Sequence, residues 1–208
     1  MAQTELAQLS FEGSHLPGLF AQGVKVAGSL FLRGVTATGT VEVNGAQIGG
    51  QLDCEGAKLV GGDKSLHARM ATVMHDMLLR GLTATGTLDV NGAQIGGQLD
   101  FAGATLDGRA GKAVDAQTVK VTESIFLRGV TASGTVDVTG AQIGGQLNCE
   151  GATLNGGGEM ALFGQSLRVE REFMFRMVEA VTGRVDLTSA KVRDLVDDAE
   201  SWRKCSDI

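Results

Sequence analysis

Tyrosine is absent from this 208-residue chain, proline and tryptophan occur once each, and aromatics amount to 4% of the residues. A core with so few rings must be closed by small and branched aliphatic side chains, which suits a narrow interior. Three cysteines, Cys54, Cys149 and Cys205, are too few and too scattered for a disulfide framework or a zinc site. No apolar run approaches the roughly 18 residues of a membrane-spanning helix, and no signal peptide is recognisable. A soluble, cytoplasmic protein without a transmembrane segment is therefore expected. Basic excess is missing too: 18 Lys and Arg stand against 24 Asp and Glu, for a net charge of −6. That balance gives no basis for direct nucleic-acid binding.

Glycine is abundant instead, at 31 residues, and the hydrophobic share is 43%. Periodic spacing of that glycine argues against both disorder and a collagen-like chain. The stretch Gly45–Leu59, GAQIGGQLDCEGAKL, returns as GAQIGGQLDFAGATL at Gly92–Leu106 and as GAQIGGQLNCEGATL at Gly140–Leu154. Within and between these cassettes, apolar residues come as pairs separated by one residue. In the second repeat the pairs begin at Leu66, Ala71, Met77, Leu82, Leu88, Ala93, Leu99 and Ala104. Alternation inside a pair is the strand period of two, and the Gly, Thr or Asn between pairs supplies a corner. A helix cannot hold steps that alternate between five and six, since its apolar stripe recurs at three and four.

Thirty-two such sides can be counted, four to a 22-residue coil, giving about eight coils. Stacked about 4.8 Å apart, they make a rod on the order of 35–40 Å long. The fourth repeat carries one extra residue, placed near Gly183 by the pattern. Glycine-rich insertions at Val60–Ser65, Asp107–Ala113 and Asn155–Ala161 follow every second coil and read as exposed loops. The fold class is therefore all-β, a right-handed quadrilateral parallel β-helix over 1–193. A second segment, 194–208, reads as a short C-terminal capping helix over Asp194–Lys204, with Leu195, Ala199 and Trp202 on one face and a tail beyond. Met1–Ala7 would cap the other end. In each cassette the Gly-Gly pair, such as Gly49–Gly50, reads as a corner with positive φ, and Cys54 as a buried thiol.

The five-residue step with paired inward residues resembles pentapeptide-repeat proteins over roughly Leu9–Val192, which implies a right-handed square β-helix. More closely, the cassettes, joined by SLFLRGV at Ser29, MLLRGL at Met77 and SIFLRGV at Ser124, resemble bacterial proteins labelled membrane-associated oxidoreductases. No G-x-G-x-x-G after a strand and no C-x-x-C accompanies that resemblance. Left-handed hexapeptide acyltransferases step by six throughout, and the 22-residue coil excludes them.

No catalytic constellation is visible, and neither a cofactor nor a metal ion is expected. His15, His67 and His75 lack a neighbour in sequence that would orient a general base. Outward residues are more informative, because stacking sets equivalent sides in columns. Glu42, Asp89, Asp137 and Asp186 form an acidic column. Phe31, Leu78, Phe126 and Met174 form an apolar one, alternating with Asp53, Asp100 and Asn148. Lys25, Lys120, Arg168 and Lys191 fall on a third face and a run of threonines on the fourth. A non-enzymatic binding or scaffold module is the expected function. Its partner is a protein or a second copy in a homodimer through the apolar column. The alternative is an acidic DNA mimic acting on a DNA-binding protein such as a topoisomerase. A third possibility, an oxidoreductase-associated role, follows from the resemblance alone.

Overall fold

The computed structural model describes residues 6–205, the side chains of 109 and 110 apart. Short parallel strands stack into a β-solenoid of about eight coils, and each coil has four sides. The coil from Leu52 shows the plan. Leu52–Asp53 forms the first side, the start of Lys58–His67 the second, its end the third, and Thr72–Val73 the fourth. Each side sits in register with its equivalents above and below: Leu30, Leu52, Met77, Leu99, Ile125, Leu147 and Phe173 are successive partners on one face. The faces are named here for what they project outward: a mixed face, a threonine face, an acidic face and a basic face, in chain order.

Inward positions carry the residues that the apolar pairs mark, and from Leu30 to Phe175 these side chains are almost wholly removed from water. Cys54 and Cys149 occupy the same inward column as Phe101 and Phe175, so thiol and ring fill one packed interior by turns. Burial pushes both thiols up, that of Cys149 to about 12. Neither thiol is a nucleophile at neutral pH.

The doubled period has a physical cause at the corner between the basic and mixed faces. Gly49, Gly96 and Gly144 all have φ outside the left-handed region, contrary to the expected positive φ. What they require is room. A Cβ there would lie 2.1, 2.0 and 2.2 Å from the carbonyl oxygens of Ala27, Met74 and Thr122 in the preceding coil. The second glycine admits a side chain from the same coil. Ser29 Oγ, Asp76 Oδ1 and Ser124 Oγ accept the N–H groups of Gln51, Gln98 and Gln146 at 3.1, 2.9 and 3.1 Å. A coil with a bulky corner therefore alternates with a Gly-Gly coil, and two coils form the repeat.

Positive φ falls at the other corners, as at Gly45 and Gly56, and five non-glycine residues also adopt it. Thr118 has φ 53 and stands where Gly92 and Gly140 serve in the neighbouring coils. A left-handed β-branched residue costs about 1–2 kcal/mol, partly offset by the greater freedom that glycine gives the unfolded chain. Thr118→Gly is expected to stabilise the fold by about 0.5–1 kcal/mol. A urea midpoint equal to or below that of the parent protein would contradict this.

Three further features differ from the sequence-based expectation. The insertions are not free loops but bulged parts of strands Lys58–His67, Thr105–Asp115 and Thr153–Phe163. Each is held by a threonine hydroxyl of the adjacent coil. Thr40, Thr87 and Thr135 Oγ1 donate to the carbonyls of Lys64, Lys112 and Met160 at 3.0, 2.8 and 2.7 Å. The extra residue lies at Glu179 rather than near Gly183: Glu179 and Ala180 both direct their N–H to the Ala152 carbonyl, while Ala180 takes the register position opposite Thr153.

The third difference is at the C-terminal end. Lys191–Asp197 continues the parallel ladder on Arg168–Phe175, so Asp194–Asp197 is strand and the helix is only Ala199–Arg203. Asp198 caps it by accepting the Ser201 N–H at 2.7 Å. Trp202 stacks on Phe175, ring centroids 4.4 Å apart, and so covers one corner of the last coil. At the opposite end only Leu6 and Ala7 of the expected cap belong to the described residues, and Leu6 bridges to Val26. Pro17, the single proline, sits between the outermost sides His15–Leu16 and Leu19–Phe20, where a missing N–H costs no ladder bond.

Candidate functional site

Strand register places the acidic residues in one continuous file. Phe20, Glu42, His67, Asp89, Asp115, Asp137, Phe163 and Asp186 follow one another, one coil apart. All four predicted members, Glu42, Asp89, Asp137 and Asp186, are on this face, and Asp115 joins them. Pointing outward does not make them exposed. Asp89 and Asp137 keep 2% and 1% of their surface, while Glu42 and Asp186 are half-buried.

A single local motif explains the aspartates. Oδ1 of Asp89, Asp137 and Asp186 accepts the N–H two residues ahead, from Asn91, Thr139 and Thr188, at 3.2, 3.0 and 2.8 Å. Asp53, Asp100 and Asn148 on the mixed face do the same for Glu55, Ala102 and Glu150. Asp and Asn have the side-chain length for this turn, and it closes the next corner. Their recurrence thus serves a local corner, in the coils that carry Asp or Asn at this position.

The second oxygen, Oδ2, receives a side chain brought in by the stacking. Lys64 Nζ pairs with Asp89 Oδ2 and also lies 3.2 Å from His67 Nε2. Lys112 Nζ lies 2.8 Å from Asp137 and 3.1 Å from Asp115, and Gln117 donates to Asp137 at 2.7 Å. Gln165 donates to Asp186 at 3.1 Å. Burial alone would push the Asp137 carboxyl up, but the bonds from Lys112, the Thr139 N–H and Gln117 outweigh it and hold it below the usual carboxylate value. Asp186 is likewise held low, chiefly by the Thr188 N–H. His67, half-buried, stands 3.5 Å from Glu42 and 3.4 Å from Asp89, neighbours that the linear sequence does not reveal.

The apolar column is similarly enclosed. Phe31, Leu78, Phe126 and Met174 alternate in register with Asp53, Asp100 and Asn148. Leu78 retains 8% of its surface, and the other three are half-buried. Arg33 pairs with Asp53 and lies 5.7 Å from the Phe31 ring centroid, and Arg128 lies 4.5 Å from that of Phe126. Arg80 bonds Asp100 at 2.6 Å. Asn148 donates to the Met174 sulfur at 3.3 Å. The signal for these arginines was present in the recurring FLRG and LLRG segments, where Arg follows the outward position by two.

The basic face differs from both. Lys25, Gln47, Thr72, Gln94, Lys120, Gln142, Arg168 and Lys191 run in register. None of the ion pairs among the described residues involves Lys25, Lys120, Arg168 or Lys191.

Among the described residues, no group of three or more His, Cys, Asp or Glu side chains is placed to hold a metal ion. No helix there is long and apolar enough to cross a membrane. No protein-family model matches the chain, and neither a curated protein nor a solved structure is significantly similar to it.

Proposed function

We propose that this chain is a binding or scaffold module that works through its outer columns, with a protein as partner. One observation carries this reading: among the described residues the interior is filled by side chains from coil to coil, so functional groups meet a partner on the outer surface, most of which is the four faces. A stack with fixed spacing suits such a role, since it presents side chains at regular intervals on a rigid support.

Two other readings gain less from the geometry. A DNA mimic would need solvent-facing carboxylates, whereas Asp89 and Asp137 are enclosed and each is matched by a lysine. Self-association through Phe31, Leu78, Phe126 and Met174 would first have to displace the arginines over the two phenylalanines. The oxidoreductase-associated role draws only on the cassette resemblance.

The test is site-specific photo-crosslinking in the native host, with the probe placed in turn at Thr83, Asp115, Gln142 and Ser10, one on each face. A discrete protein adduct from one face is expected. Adducts equally spread over all four faces, or reproducible turnover with a redox cofactor, would defeat the proposal.

A further inference from the structure

On the basic face Lys25, Lys120, Arg168 and Lys191 form a file of cations that enter none of the ion pairs among the described residues. Carboxylates of the acidic and mixed faces are bound by Lys64, Lys112, Arg33 and Arg80. On the basic face Lys120, Gln142, Arg168 and Lys191 occupy consecutive strands, about 4.8 Å apart, and all four are exposed. Gly144, which lacks a side chain, leaves an open depression between Lys120 and Arg168, of about 440 Å³. Thr122, Gln142 and the single carboxylate of Glu170 also line it.

We propose that this stripe docks an acidic segment of a protein partner, an inference that rests on the scaffold reading above. Lys and Arg offer several charged N–H donors each, and the Gln142 amide adds a donor and an acceptor suited to a peptide backbone. Charge complementarity selects the class of occupant. A long polyanion such as a nucleic acid, or an anionic membrane, extends past the stripe and meets a chain of net charge −6. A short acidic segment meets the local cations alone. Because the stripe is exposed, its ion pairs are individually weak and screened by salt.

The experiment uses the full chain and a short fluorescein-labelled poly-glutamate peptide, followed by fluorescence anisotropy. Saturable binding is expected at low ionic strength, weakening roughly tenfold at physiological salt. The triple variant Lys120→Gln, Arg168→Gln, Lys191→Gln should lose roughly tenfold in affinity. Arg168→Gln alone should show part of that loss, which protects the test if the triple variant misfolds. Lys58→Gln, on the threonine face, should leave binding unchanged. Absence of poly-glutamate binding, indifference to the variants, or tighter binding of an oligothymidylate or of phosphatidylserine vesicles would each overturn the proposal. If poly-glutamate fails while another face still gives a discrete crosslink, this inference falls and the scaffold reading stands. If no face gives a crosslink, the scaffold reading falls, and the inference with it.

Discussion

Gly96→Ala is expected to abolish the soluble fold or to cost well over about 3 kcal/mol, a large part of a typical domain's margin. The new Cβ would lie 2.0 Å from the Met74 carbonyl oxygen, an atom fixed by the coil below. No rotamer change relieves a clash between two backbones. Gly97→Ala meets first the Asp76 carboxylate, which can rotate away at the loss of its bond to the Gln98 N–H, worth about 1.5–3 kcal/mol, while the Asp76 backbone nitrogen, at 3.1 Å, requires a smaller adjustment. Gly103→Ala meets nothing within 4 Å, so its cost is the left-handed strain alone, about 1–2 kcal/mol. Urea midpoints of the three variants check the ranking. A Gly96→Ala protein as stable as the Gly103→Ala one would show that the corner is not limited by coil-to-coil approach.

That ranking also marks where the sequence could be read and where it could not. The number of coils and the inward residues were legible because a strand period of two, interrupted at five and six, fits no other regular structure. Gly49 and Gly50 are legible as a corner, but the reason they are glycine is not. Positive φ is a local property, whereas the approach of Ala27 is a contact between coils. The spacing of Leu195 with Ala199 and Trp202 reads as helical, but pairing with Phe173 draws Leu195 into the ladder. The candidate columns were legible as to which side they point from and illegible as to exposure. Asp53 is covered by Arg33 and Asp100 by Arg80, each twenty residues earlier, and only the stack brings them together. The acidic file likewise suggested a charged surface until Lys64 and Lys112 proved to bend onto it from the insertions.

Lys112→Met tests that neutralisation and is expected to cost about 1–2 kcal/mol at pH 7. Removing one member of a fully buried ion pair costs about 3–5 kcal/mol, and the figure is reduced here because Lys112 is one-third exposed. Methionine is the residue the third insertion already carries in this position, at Met160, where the column presents Phe163 in place of Asp115. The pH dependence follows from opposite shifts. Asp137 has a depressed folded value, so its contribution is present above the ordinary carboxylate range near 3.9 and is lost as pH falls through the folded value. Burial pulls the Lys112 ammonium down, but Asp137 and Asp115 outweigh it and raise it above 10.5; its contribution is present below that pH and is lost as pH rises through the folded value. The gap between parent and variant should therefore be flat across the neutral range and close toward both extremes. Asp137→Asn in the variant background should recover much of the loss, since the amide oxygen still accepts the Thr139 N–H, as Asn148 already does for Glu150. Urea unfolding at acid, neutral and alkaline pH reads all of this, and a gap unchanged down to about pH 3 would assign the cost to packing rather than charge.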